Sequence, residues 1–152
     1  MRPRLFDTSV LIPMIRGEAY EDLFRQALRT GRARMSSVVM QELYAGARTR
    51  ADKNNYDGIN RAFLGRGYMI TPGHEDWTLG GVILARYQQL HGEIEPRDHI
   101  HGLLIALCAA TAKAELVTEN AADMERWRKM LGRLGKLLQI LAVKRDEHRP
   151  SP

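Results

Sequence analysis

Short, continuously apolar runs alternate with helical patterns along this chain, and that alternation restricts the fold more than any other feature. The runs lie in "RLFD", "ARMSSVV", "YMITP", "ELVT" and "LLQILAV". Between them, apolar residues recur at helical spacing, as Leu23, Ala27 and Leu28 do before Gly31. Strands that are apolar throughout are buried on both faces, and intervening helices supply parallel crossovers. We therefore predict an α/β fold with a parallel sheet that helices cover on both faces.

Glycine and proline set the predicted boundaries in the second half of the chain. We expect a long helix over residues 74–90, in which the pair Gly80 and Gly81 indicates close backbone packing. Gly92 and Pro96 should then interrupt helical structure, so the next helix is predicted from about Asp98 to Lys113. The polar, proline-bearing residues 144–152 are expected to fray, which leaves one domain over residues 1–143.

Composition limits the classes of function. No apolar run approaches the roughly 20 residues that a membrane span needs, and "MRPRLFD" has no apolar stretch typical of a signal peptide, so we expect a soluble cytoplasmic protein. A net charge of +5 is compatible with a polyanionic partner. The one cysteine, Cys108, lies in an apolar helix and is interpreted as a small buried hydrophobic residue. No array of aromatic residues for base stacking is evident in the sequence.

Three acidic residues fall at or just after predicted strand ends. Asp7 ends the first strand, Glu42 borders the buried face of the helix after the second, and Asp123 opens the helix after "ELVTEN". Each has a structural interpretation: Asp7 as a helix cap, Glu42 as a surface residue, Asp123 as a capping partner of Asn120. Carboxylates that converge on one crevice repel one another unless a cation neutralises them. A hard divalent cation such as Mg²⁺ takes oxygen ligands and suits phosphodiester hydrolysis.

The segments "LFDTSVLI", "SSVVMQELYAGA" and "LVTENAADM" resemble, in order and spacing, the signature regions of PIN-domain ribonucleases, particularly the VapC-type toxins of bacterial toxin–antitoxin pairs. The resemblance covers nearly the whole chain. It implies a three-layer α/β/α sandwich with a central parallel sheet, a homodimer, and a small cognate antitoxin whose C-terminal segment enters the acidic crevice. It also implies an acidic site, dependent on Mg²⁺ or Mn²⁺, that cuts RNA.

On this resemblance the site residues are assigned one by one. Asp7 and Asp123 are the expected main metal ligands, and Glu42 is either a ligand or a base that positions water. The residues expected to shape the site are Thr8, Ser9, Thr118 and Asn120.

One position departs from the family pattern. The remaining acid normally opens the motif Asp-x-Leu-Ile-Ala, and reading back from "LIA" at 104–106 places Gly102 there. Three accounts stay open: Asp98, one turn earlier on the same face, reaches the site through water; the site works more weakly with three acids; or the chain is an inactive form. Direct substitution is the least secure geometrically, because one helical turn displaces a Cα by about 5.4 Å.

Other enzyme classes find less support. His99 and His101 are two residues apart and point to different sides of a helix, which disfavours a zinc site. No G-x-G-x-x-G follows the first strand, so a dinucleotide-binding enzyme is disfavoured. The main rival is a PIN-like domain that binds RNA or a partner protein without cleavage, and Gly102 is the residue that supports it.

Overall fold

A computed structural model describes residues 1–152. The five strands are β1 (Arg4–Phe6), β2 (Ala33–Ser36), β3 (Met69–Ile70), β4 (Glu115–Thr118) and β5 (Gln139–Ala142). The seven α-helices are α1 (Thr8–Ile15), α2 (Glu21–Arg29), α3 (Ser37–Ala45), α4 (Arg50–Gly65), α5 (His74–His91), α6 (Pro96–Thr111) and α7 (Ala121–Arg133), and a 3₁₀ turn follows at Arg145–His148.

The strands form one parallel sheet in the order β3-β2-β1-β4-β5. The chain runs from β1 to one edge and then crosses to build the other side. Right-handed crossovers put α1 to α4 on one face and α5 to α7 on the other. This arrangement confirms the predicted three-layer α/β/α sandwich with a central parallel sheet.

Strand order reverses between β1 and β4, which lie side by side at the centre of the sheet. The register pairs Phe6 with Val117, and the backbone N–H of Asp7 donates to the Val117 carbonyl at 2.9 Å. Ligands of such folds bind beyond the carboxyl ends of the strands at this reversal. The residues that follow Phe6 and Val117 therefore lie where a binding site is expected.

Helix α6 contains the longest continuous buried segment of any helix. All seven residues from Leu103 to Ala109 are buried, which is what a helix packed between a sheet and two neighbouring helices requires. A Cβ on Gly80 would lie 3.1 Å from Ile100 Cδ1, so the predicted close packing is confirmed at this glycine of α5; Gly81 faces open space, and there the prediction is wrong. No helix has the length and apolarity needed to span a bilayer.

Two boundary expectations are corrected. Helix α6 begins at Pro96 rather than near Asp98, because proline lacks only an N–H that the first helical turn leaves unpaired, and the Glu95 side chain caps the end by accepting from Arg97 N. The tail does not fray throughout. The 3₁₀ turn is anchored where Tyr20 N–H donates to the His148 carbonyl at 2.9 Å, with the two rings 5.4 Å apart.

Candidate functional site

Asp7 stands at the carboxyl end of β1 and is buried, with 5% of its surface exposed. One carboxylate oxygen accepts from the Thr8 backbone N–H at 2.8 Å, so Asp7 caps α1 rather than Thr8 or Ser9. The other oxygen accepts from the hydroxyls of Ser9 at 2.9 Å and Thr118 at 2.8 Å. Three donors from two elements therefore fix this carboxylate in one orientation.

The environment of Asp7 opposes its negative charge in spite of these donors. Burial raises the pKa of the Asp7 carboxyl above its ordinary value, while the hydrogen bonds from Thr118, Ser9 and Thr8 lower it and the negative charge of Glu119 raises it further. The balance favours the protonated form relative to an exposed aspartate. A cation at this carboxylate would reverse that preference, because opposite charge favours ionisation.

Glu42 joins the same cluster from α3. Its side chain is half-buried, and Oε1 accepts from the Thr8 hydroxyl at 2.9 Å. Thr8 therefore connects two acids, since its backbone N–H binds Asp7 and its hydroxyl binds Glu42. The second oxygen of Glu42 makes no hydrogen bond within the protein, which leaves it free to accept one from water or a ligand.

Asp123 lies in the first turn of α7 and is far more open, with 65% of its side chain exposed. Its Oδ1 pairs with Arg126 at 2.9 Å. The alternative capping role is not observed, because the helix has its N-cap at Asn120 without any side-chain capping bond. The backbone of Asn120 is instead held by its N–H, which donates to the Thr118 hydroxyl at 2.9 Å.

Gly102 faces the same cavity from α6, and Asp98 lies one turn before it. Asp98 is exposed and makes no side-chain hydrogen bond or ion pair. A Cβ at Gly102 would meet only Met124 Cε and Trp127 Nε1, both at 3.9 Å, which is ordinary van der Waals contact. The fold thus has room for a Cβ at 102, so packing against the backbone does not require this glycine.

These side chains line one cavity of about 420 Å³ at the carboxyl edge of the sheet. It brings together every acid selected from the sequence, namely Asp7, Glu42, Asp98 and Asp123, together with Gly102. The carboxylates are nevertheless spread out: no three acidic, histidine or cysteine side chains lie close enough together to hold a metal ion.

The cavity also contains residues that sequence reasoning missed. Arg145, from the supposedly frayed tail, lines it and pairs with Glu119 at 3.0 Å and Glu18 at 3.5 Å. The Glu119 backbone N–H donates to the Ser9 hydroxyl at 3.1 Å, which links this ion pair to the donors around Asp7. Glu119 directly follows β4, so its position at a strand end was a usable signal in the sequence, whereas Arg145 had no such signal.

A second missed group is aromatic. His99 and Trp127 line the cavity, and their ring centroids are 6.1 Å apart. The ring centroid of Tyr87 lies 5.5 Å from that of Trp127, and the ring centroid of His91 lies 4.7 Å from that of Tyr87. The Arg126 guanidinium lies 5.5 Å from the Tyr87 ring centroid and 5.4 Å from that of Trp127. We call these five residues the aromatic wall.

Comparison with known proteins adds a family match and a set of structural neighbours. The family model of the PIN domain matches residues 4–129. A chain of the DNA-bound VapBC complex from Salmonella typhimurium superposes with a TM-score of 0.62 at 22% identity, over 92% of this chain and 98% of that one.

Two further neighbours have similar coverage. A chain of VapBC2 from Rickettsia felis, bound to a promoter DNA fragment, has a TM-score of 0.61 at 20% identity and covers 91% of this chain and 98% of its own. A chain of VapBC-1 from nontypeable Haemophilus influenzae has a TM-score of 0.58 at 16% identity, and the match covers 91% of this chain and 96% of that one. No curated protein matches the sequence significantly. At these identities the neighbours establish the shared fold.

Proposed function

The chain belongs to the PIN domain family, a family of nucleases, and from this premise we propose that it is a divalent-metal-dependent endoribonuclease, the toxin of a bacterial toxin–antitoxin pair. One observation carries the proposal: Asp7, Glu42 and Asp123, from three separate elements, line one cavity at the carboxyl edge of the sheet. Acids gathered where strand order reverses are better explained by chemistry than by stability, because like charges repel.

The ligand atoms fit Mg²⁺ or Mn²⁺ in type but lack one carboxylate. Carboxylate and hydroxyl oxygens are what hard divalent cations prefer. Asp7 and Asp123 are the proposed main ligands, with Glu42 as a further ligand or a water-positioning base. When bound, such an ion would polarise the scissile phosphate and lower the pKa of an attacking water. Gly102 stands where an aspartate would supply the missing carboxylate, and we expect activity to be weakened for that reason.

The residues present have distinct tasks in this proposal. The fixed Asp7 carboxylate offers a preorganised acceptor, because Thr8, Ser9 and Thr118 already orient it. The free oxygen of Glu42 would hold a water and take its proton. Preorganised groups of this kind stabilise developing charge without reorganising during the reaction.

A second candidate function follows from the spread of the carboxylates. Since no three of the acidic, histidine and cysteine side chains lie close together, the chain also fits a catalytically degenerate PIN-like domain that binds RNA or a partner protein without cleavage. Calorimetric titration with Mn²⁺ separates the two functions. The nuclease should have a saturable site that Asp7→Asn removes, whereas the binding domain should have none.

For partners, we propose RNA as substrate, a cognate antitoxin, and a homodimer. The structural neighbours come from complexes named VapBC, which supports assembly with an antitoxin. A cationic side chain of the antitoxin, such as arginine, would find charge complementarity in a cavity that Asp7, Glu42, Asp98 and Asp123 line. Light scattering of the purified chain, alone and after co-expression with a candidate antitoxin, tests both the dimer and the antitoxin.

The cleavage test uses four proteins: the native chain, Gly102→Asp, Asp7→Asn, and the double variant, each with structured RNA and Mg²⁺ or Mn²⁺. We expect Gly102→Asp to raise cleavage by at least tenfold and Asp7→Asn to abolish it in either background. Gly102→Asn, a fifth protein, is the matched control, because it fills the same space without a carboxylate. Absence of cleavage by every version would refute the nuclease. Equal cleavage with and without Gly102→Asp would mean that the glycine is immaterial.

A further inference from the structure

The aromatic wall has features that core packing does not explain. Trp127 belongs to the core, with 2% of its surface exposed, but Tyr87 and His99 are only half-buried and His91 is exposed. Ring surface left open to solvent contributes little to stability. In proteins that bind single-stranded nucleic acids, such rings serve as stacking surfaces for bases, often with an arginine beside them.

The indole N–H of Trp127 is a donor without a partner inside the protein. Tyr20 Oη is the only fully enclosed side-chain polar atom without a hydrogen bond, so the indole nitrogen opens onto the cavity that Trp127 lines. It lies 3.9 Å from where a Cβ would stand at Gly102. Because glycine adds no side chain there, the N–H stays uncovered. A donor that opens onto a cavity without a protein partner can be paired by a ligand that brings an acceptor.

Charge decides which part of a nucleotide the wall can accept. The cavity beside it holds four carboxylates, and its arginine, Arg145, is already paired with Glu119 and Glu18. Arg126 is likewise paired with Asp123. A phosphate would meet net negative charge here unless a cation came with it, whereas a neutral base would not. The wall therefore suits a base, with the phosphates directed toward the carboxylates and their cation.

We propose that the aromatic wall, formed by Tyr87, His91, His99, Arg126 and Trp127, binds one base of single-stranded RNA next to the acidic cavity. The base stacks on the half-buried rings, and a carbonyl oxygen or ring nitrogen on its edge accepts from Trp127 Nε1–H. The guanidinium of Arg126 covers the ring edges between α5 and α7. This proposal rests on RNA as the substrate, and it extends the proposed function by assigning a subsite for the base.

The test measures binding in EDTA, so that neither cleavage nor metal affinity enters the result. A labelled single-stranded RNA oligonucleotide is compared with an abasic ribose-phosphate oligomer of equal length by fluorescence anisotropy. We expect the base-bearing oligomer to bind at least about fivefold more tightly, since stacking of one base contributes about 1–3 kcal/mol. The chain has two tryptophans. In a Trp77→Phe background, quenching of Trp127 emission by the RNA locates the base.

Two variants separate the subsite from general RNA affinity. His99→Ala should weaken binding of the base-bearing oligomer by about 5- to 100-fold and leave the affinity for the abasic oligomer unchanged. His101→Ala is the matched control, because His101 lies on the same helix but is exposed outside the cavity. Trp127→Phe keeps an aromatic ring and removes the N–H. It should therefore weaken binding of the base-bearing oligomer by at least about threefold, in line with the loss of one hydrogen bond.

The outcomes keep the two proposals apart. Equal affinity for the two oligomers, or equal effects of His99→Ala and His101→Ala, would overturn the base subsite while leaving metal-dependent cleavage to stand on its own assay. Base-dependent binding together with no cleavage by any variant would support the subsite and refute the nuclease. A peptide that competes with RNA for Trp127 quenching while the two oligomers bind equally would assign the wall to a protein partner and overturn the proposal.

Discussion

The two sides of the cavity are built very differently. On one side, Asp7 is buried and its two carboxylate oxygens receive three hydrogen bonds, from Thr8, Ser9 and Thr118. On the other side, Gly102 offers no side chain, and the Asp98 side chain makes no hydrogen bond or ion pair. The first side is preorganised by the fold itself, because its donors come from β4 and the first turn of α1. The second side has no such hydrogen bonds, so its organisation depends on the ligand that occupies it.

This contrast distinguishes residues that are needed for the stability of the fold from residues that are needed for binding. Hydrogen bonds around a buried carboxylate stabilise the folded domain, since an unpaired buried charge is costly. The half-buried position 102 carries no such requirement, because it holds no polar side chain, so a glycine there leaves the fold intact. Under the proposed function, position 102 is where a carboxylate would complete the ion site. The proposal therefore predicts that function can be lost on the open side while the structure is kept.

The largest effect should come from adding a carboxylate to the open side. Gly102→Asp should tighten Mn²⁺ binding by about 10- to 100-fold, a range typical even of residues that only support the ligands of a metal. Isothermal titration with Mn²⁺ on the native chain and Gly102→Asp measures this change. Gly102→Asn should leave the affinity within about twofold. An equal gain from the amide would attribute the effect to filling space, and the contrast between the two sides would lose its electrostatic basis.

The next effect should come from removing a donor on the preorganised side. Thr118→Val keeps the shape of the buried side chain but deprives Asp7 of its 2.8 Å hydrogen bond and the Asn120 N–H of its acceptor. The free energy of unfolding should fall by about 1–3 kcal/mol, the usual cost of leaving buried polar groups unpaired. Urea denaturation measures it. Thr8→Val, which removes the half-exposed bond to Glu42, is the control and should cost less than 1 kcal/mol, roughly the net value of one hydrogen bond.

Much of the preorganised side follows from the sequence. Asp7 and Thr118 end apolar runs that fold as neighbouring parallel strands, so their meeting is a consequence of strand periodicity and the crossover rule. The ligand crevice could be placed for the same reason, since strand order reverses there. Which of Asp7, Thr8 and Ser9 caps α1 was beyond this reasoning, because all three are good capping residues.

The open side and the tail could not be derived in the same way. The aromatic wall brings together residues of α5, α6 and α7 that are up to forty positions apart, and its geometry depends on helix packing angles that periodicity does not specify. The 3₁₀ turn is held by the backbone of Tyr20, which adopts a φ of 69°. Such a contact has no signature in composition, so the position of Arg145 at the cavity could not be predicted from the sequence.

A third test asks whether the buried charge of Asp7 lowers stability. Because burial raises the pKa of this carboxyl in the folded chain above that of the unfolded chain, the ionised form costs stability at neutral pH. Asp7→Asn should raise the melting temperature by a few degrees, since about 1 kcal/mol corresponds to about 2–4 °C in a domain of this size. Differential scanning calorimetry at pH 7 measures the shift.

The pH dependence gives the control for that shift. The advantage of Asp7→Asn should be full above the folded-state pKa and disappear as the pH falls from there to the ordinary aspartate value, where both states bind the proton. An advantage that persists unchanged at low pH would attribute the effect to hydrogen bonding rather than to charge. A lower melting temperature at pH 7 would mean that the three donors outweigh the burial.

The smallest effect should come from Asp98, the exposed acid of the open side. Its side chain makes no hydrogen bond or ion pair, so Asp98→Asn should change the free energy of unfolding by less than about 0.5 kcal/mol. We also expect Mn²⁺ affinity to stay within about twofold, because a residue one turn away displaces its Cα by about 5.4 Å from position 102. Titrations of the native chain and Asp98→Asn side by side measure both quantities. A loss of affinity beyond tenfold would make Asp98 the replacement for the acid at 102, and the open side would then be organised from one turn upstream rather than left vacant by Gly102.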